Sequence, residues 1–147
     1  MSIRFSAQNI DFDLQEPQKV RKWVAEVVGR RQKCVGNISY LFCDDEHILQ
    51  VNRQFLDHDT YTDIITFDYV AADLISGDIL ISIDRVGENA QTYGVPFEQE
   101  LHRVIIHGVL HLLGQGDKSP EEAAEMRRQE GEALALWEQM FHGEHNA

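Results

Sequence analysis

The sequence predicts an α+β fold: a small mixed β-sheet of about four strands, packed with about five helices into a single-domain sandwich. Three observations carry that expectation. At 147 residues the chain has the length of one domain with one well-covered core. Its apolar residues recur at helical spacing in some segments and gather into β-branched and aromatic runs in others. These segments follow one another as β-α-β-α-β-β-α-α-α, with no internal repeat, linker or low-complexity stretch between them. The expected domain is 1–147, with its core over roughly 2–141 and a tail at 142–147.

Each element has a local reason. Residues 2–6 read as a short strand. Pro17 stands in a helical first turn, where proline is tolerated, and Val20, Trp23, Val24, Val27 and Val28 then repeat as one apolar face. Gly36-Asn37 leads into a strand over 38–43. Asp44 and Asp45 are good caps for the helix that carries Ile48, Leu49, Val51, Asn52 and Phe55. Asp57-His58-Asp59-Thr60 is loop-like. Strands follow over 62–70 and, entered through Gly77, over 78–83. A helix over 84–93 meets Gly94, a left-handed cap candidate, and Pro96 opens the next helix, apolar over 100–113. Ser119-Pro120-Glu121-Glu122 is a capping box that launches a last helix with Ala124, Met126, Leu134, Leu136, Trp137 and Phe141 among its apolar residues.

Composition narrows the setting. No run approaches the length of a membrane span. Residues 1–15 lack a basic start followed by an apolar stretch, so a cytoplasmic location is expected. Cys34 and Cys43, in or beside a strand, are then expected as reduced thiols.

The chemistry concentrates in His107-Gly108-Val109-Leu110-His111-Leu112-Leu113-Gly114-Gln115-Gly116-Asp117. Positions i and i+4 share a helix face, so His107 and His111 can aim at one point. Gly114 can end the helix in a left-handed turn, after which the chain folds back and brings Asp117 to the same point. Imidazoles set among Leu101, Val104, Ile105, Val109, Leu110, Leu112 and Leu113 lose solvation unless they find partners, and a metal is a partner both can share. Two His and one carboxylate leave a tetrahedral zinc with an open position, as in catalytic sites. The spacing is shared with long-motif zinc proteases, but their general base directly follows the first His, where this chain has Gly108. His102 falls off the face of His107, which favours a solvated or structural role, and His47, His58, His142 and His145 have no supporting spacing.

The same residues resemble the YbeY family of bacterial endoribonucleases and rRNA maturation factors, whose motif is His-Gly-x-Leu-His-Leu-x-Gly-Tyr-Asp-His. Two further family signatures resemble Thr62-Asp63-Ile64-Ile65-Thr66-Phe67 and Gly77-Asp78-Ile79-Leu80-Ile81-Ser82, and the similarity spans roughly residues 35–132. The resemblance implies a zinc-dependent single-strand endoribonuclease with one Zn2+ per chain, acting in 16S rRNA 3′-end maturation and ribosome quality control, with rRNA and the ribosome as partners. Its site would be His107, His111 and Asp117, acting through the metal, with Asp63 and Asp78 as candidates to orient the imidazoles or as turn and cap carboxylates. The departures are Asp117 where the family has its third His, Gln115-Gly116 where it has Tyr-Asp, and Leu56 where it has an Arg for phosphate contact. Arg53 and His58 stand nearby to substitute.

A net charge of −12 is unusual for an RNA enzyme. Much of the acid lies in Glu121, Glu122, Glu125, Glu130, Glu132, Glu138 and Glu144, whereas Lys19, Arg21, Lys22, Arg30, Arg31 and Lys33 form either a backbone-binding patch or a solvated helix face. The acidity favours weak binding of free RNA and reliance on a partner such as the ribosome. A ribosome-associated assembly factor with a structural metal therefore stays open beside the nuclease, and a metalloprotease-like hydrolase stands third.

Overall fold

The computed structural model describes residues 2–55 and 62–142. The elements are β1 (Ser2–Ala7), α1 (Pro17–Arg30), β2 (Cys34–Cys43), α2 (Asp45–Phe55), β3 (Ile64–Asp68), β4 (Leu74–Ser82), α3 (Ile83–Tyr93), α4 (Phe97–Leu112) and α5 (Pro120–Phe141). The four strands form one mixed sheet in the order β1-β2-β4-β3, with β1, β2 and β4 parallel and β3 antiparallel to β4. The expected α+β fold and element order are both present. The loop expected at 57–60 and all but one residue of the expected tail lie outside the described residues.

Two strands start earlier than the local pattern predicts. Cys34 pairs with Leu74 and Val35 with Ile75, so the early ends of β2 and β4 hold one another before a register shift. Gly36-Asn37 and Gly77 look like turn residues in isolation, but cross-strand pairing outweighs local propensity. The amide of Asn37 is taken up at that irregularity by Ser76 Oγ at 3.0 Å. The caps of α2 divide their labour. Asp44 accepts from the His47 amide at 2.9 Å, while Asp45 accepts instead from Ser82 Oγ at 2.7 Å and from Arg85 Nε at 3.1 Å, tying α2 to α3.

The main core lies between one sheet face and α1, α4 and α5. Val20, Trp23, Val24 and Val28 meet Ile38, Tyr40, Phe42, Ile79 and Ile81 there. The Tyr40 hydroxyl donates to the Ile105 carbonyl at 3.1 Å, and burial pushes its pKa up. Trp23 Nε1 donates to the Ala133 carbonyl at 2.7 Å, joining α1 to α5. A smaller cluster of Cys43, Ile48, Val51, Ile65 and Leu80 sits on the opposite face under α2. Cys34 and Cys43 are free thiols at opposite ends of β2. The strand holds them roughly 30 Å apart, far beyond disulfide reach. Among the described residues, no helix is long and apolar enough to cross a membrane.

Candidate metal centre

The site stands where α4 leaves the core. Gly108 and Leu112 press α4 onto the sheet. A Cβ at Gly108 would lie 3.0 Å from Ile79 side-chain carbons and 3.1 Å from Ile64, so only a residue without one lets the helix approach this closely. With that face against the sheet, Glu100, Arg103, His107 and His111 fall on a common stripe at spacings of three and four. Gly114 then takes φ 100°, a conformation open to glycine, and turns the chain. The turn is pinned at both ends. The Gln115 amide donates to the Leu110 carbonyl at 3.0 Å, and Ser119 and Glu122 complete the expected capping box of α5. Gln115 Oε1 also accepts from Gln129 Nε2 at 3.0 Å.

This return path delivers Asp117 to the histidines. Its Oδ2 atom lies 3.3 Å from His107 Nε2 and 3.5 Å from His111 Nε2, and one donor atom from each of the three residues lies within 4.8 Å of the others. The imidazole centroids are 4.9 Å apart and the rings cross at 74°. His107 is mostly covered, whereas the side chains of His111 and Asp117 are 32 % and 36 % exposed, so the cluster opens to solvent on one side.

A buried chain of charge stands behind His107. Glu130 Oε2, on α5, accepts from His107 Nδ1 at 2.6 Å, and Glu130 Oε1 accepts from Arg103 Nη1 at 3.1 Å. Arg103 Nε donates to Glu100 Oε1 at 2.9 Å, and its Nη2 donates to the other oxygen of the same carboxylate. Burial alone would raise the Glu130 carboxyl, but the His107 hydrogen bond and the Arg103 charge together hold it below the usual glutamate range. The Glu100 hydrogen bond likewise raises Arg103 further, against the effect of burial.

This chain fixes the histidine tautomer. Because Nδ1–H donates its hydrogen bond to Glu130, the Nε2 lone pair of a neutral His107 faces the Asp117 carboxylate, an acceptor against an acceptor. A metal ion, or a second ring proton, resolves that conflict. The spacing fits the first. Two ligands about 2.1 Å from one tetrahedral ion stand about 3.4 Å apart, close to the contacts that Asp117 makes. The donor set of two imidazoles and one carboxylate therefore fits a divalent cation.

The structure thus brings together the three residues that the motif points to. It places the candidate orienting groups elsewhere. Asp63 lies 3.9 Å from Arg103 Nη2, two links away from His107, and its carbonyl accepts from the Ser82 amide at 2.9 Å. Asp78 is on β4 opposite Ser39 and Phe67, in a cavity on the other sheet face, beside Tyr69. The orienting carboxylate is Glu130, which sequence reasoning missed. A signal existed: Met126, Gln129, Glu130 and Ala133 make one buried face of α5, and a carboxylate on such a face requires partners. His102 is buried between Trp23 and Trp137 rather than solvated. Leu56, His58 and His145 lie outside the described residues.

A mixed-sheet domain presenting two imidazoles, a carboxylate and a carboxylate-held tautomer at an open edge belongs to the class of proteins built to hold a metal ion with a position open to solvent. The comparisons with known proteins specify it further. The family model described as endoribonuclease YbeY matches residues 2–138, and the chain belongs to that family. It is similar to a protein named endoribonuclease YbeY from Porphyromonas gingivalis, 52 % identical over 97 % of this chain and 94 % of the relative. Another of that name, from Flavobacterium psychrophilum, is 51 % identical over 87 % of this chain and 91 % of the relative. A solution structure from Thermotoga maritima shares the fold, with a TM-score of 0.67 over 97 % of this chain and 93 % of that one, at 24 % identity.

Proposed function

We propose that this enzyme is a zinc-dependent single-strand endoribonuclease, acting on 16S precursor rRNA in 3′-end maturation and ribosome quality control in the bacterial cytoplasm. The observation that carries the reading is the Glu130–His107 pair, which turns His107 Nε2 toward Asp117 beside His111. His107, His111 and Asp117 would hold the ion, and the family name supplies RNA as the substrate class.

When bound, zinc supplies a Lewis acid for a phosphoryl oxygen and lowers the pKa of water to about 7. The protein residues do the rest. Glu130 keeps the proton on Nδ1, and Arg103 keeps Glu130 ionised. Asp117 brings negative charge on a loop anchored by Gln115, Gln129 and the capping box. The open side at His111 admits a backbone. Most cations of residues 19–33 are already engaged: Lys19 with Glu16, Arg21 with the Ile3 carbonyl, Arg30 with Glu26, Arg31 with Gln129 and Lys33 with Asp73. RNA phosphate must compete with those partners, which supports reliance on the ribosome to present the substrate.

One observation favours the assembly-factor reading. The three donors span the junction of α4 and α5, so an ion there would also clamp the fold. Cleavage of end-labelled single-stranded and duplex RNA by wild type and Asp117→Ala, with chelation and zinc restoration, decides between them. The nuclease reading expects single-strand cleavage that chelation stops, zinc restores and a folded Asp117→Ala lacks. Chelation that unfolds the domain, with no cleavage by the zinc-loaded protein, supports the assembly factor instead.

A further inference from the structure

On another face of α4, five residues before His107, His102 lies in a separate environment. Its ring centroid is 4.2 Å from that of Trp137 and 5.6 Å from that of Trp23, and the residue is 9 % exposed. Among the described residues its Nε2 atom has no hydrogen-bond partner; Glu98 Oε2, at 4.0 Å, is beyond bonding range. A buried polar atom left in that condition is uncommon and calls for an explanation. His102 lines a surface cavity of about 610 Å3 together with Glu16, Glu98, Gln99, Trp137 and Glu138. Glu16 also holds Lys19 at 2.6 Å, and Glu138 stands 3.7 Å from His142 Nδ1.

We propose that this cavity is a binding site for an organic cation bearing N–H donors, a guanidinium or ammonium group. Glu98 and Glu138 supply the charge, with Glu16, held by Lys19, at the rim. Trp137 supplies an aromatic wall, the surface that an organic cation uses and a bare metal ion does not. The Gln99 amide oxygen supplies an acceptor for ligand N–H groups, and the unpartnered His102 nitrogen, covered by its neighbours, supplies a second when the ring turns toward the cavity. Burial lowers the His102 pKa to about 4, so the ring is neutral near pH 7 and does not repel a cation. The Glu98 carboxyl is raised by burial and by Glu16, the mutual repulsion that a bound cation relieves. The cation is either a free polyamine or a basic side chain presented by another protein. Neither requires the metal centre.

The protein reports on this cavity directly, because its two tryptophans, Trp23 and Trp137, both lie against His102. Tryptophan emission of the full-length chain would be titrated at constant ionic strength with spermidine, arginine amide, a short arginine peptide and, as control, magnesium chloride. The proposal expects a saturable response to at least one amine and none to magnesium. In Glu98→Gln/Glu138→Gln the apparent Kd should rise about tenfold or more. Those carboxylates are 45 % and 71 % exposed, so circular dichroism should be unchanged. A response to spermidine identifies a free polyamine, and a response to the arginine peptide alone identifies a presented side chain. No saturable response to any amine, an equal response to magnesium, or full affinity in the folded double variant would overturn the proposal.

Discussion

Glu130 on α5 accepts a hydrogen bond from His107 Nδ1 on α4 at 2.6 Å, across 23 residues of chain. That contact keeps the opposite ring nitrogen free for a ligand. Replacing Glu130 with Gln retains an acceptor but removes the charge that Arg103 and His107 share. Zinc affinity should fall about 10- to 100-fold, as for other carboxylates that back a ligating imidazole. Competition with a chromophoric chelator measures it. Wild-type affinity in Glu130→Gln would remove Glu130 from the site.

Gly108 faces Ile79 and Ile64, so the position that carries the base in zinc proteases points into the sheet here. Gly108→Glu should lose about 3–5 kcal/mol in urea unfolding, the scale for an unpaired buried charge, and should not hydrolyse casein. A stable variant that cleaves casein in a chelator-sensitive way would reopen the protease reading.

Acid should loosen the fold through His102. Its pKa is about 4 in the folded chain against an ordinary 6.5, so between those values the unfolded chain binds the extra proton. The stability is complete above the ordinary value and is lost as pH falls through the folded one, a difference of about 3 kcal/mol. Glu130, also depressed, acts in the same sense at lower pH. Glu98, raised, opposes them, since its contribution is lost as pH rises. The slope of the urea midpoint between pH 6.5 and 4 should flatten in His102→Phe. An unchanged slope would assign the acid sensitivity elsewhere.

Trp23 Nε1 closes α1 onto α5 through the Ala133 carbonyl. Trp23→Phe removes the donor and leaves that carbonyl buried, at a cost of about 1–3 kcal/mol. Equal urea midpoints would show that packing alone joins the two helices.

How legible the site was depended on chain distance. His107 and His111 one turn apart, Gly114 and Asp117 form a local pattern, and the structure brings their side chains together as the spacing requires. The strand starts at Cys34 and Leu74 and the orienting role of Glu130 depend on pairing between distant segments. Within α5, Glu130 is one of many glutamates; its partner becomes visible only when α5 packs on α4. Asp63 and Asp78 lie inside signature segments, yet sheet geometry sends one toward Arg103 and the other to the opposite face.

The most direct test is metal content by mass spectrometry of chelator-free protein, wild type beside Asp117→Ala, with circular dichroism on both. The account predicts about one zinc per wild-type chain and much less in a variant that keeps its helices and strands. A wild type that takes up no metal when zinc is offered, or a folded variant that keeps its full complement, would contradict it.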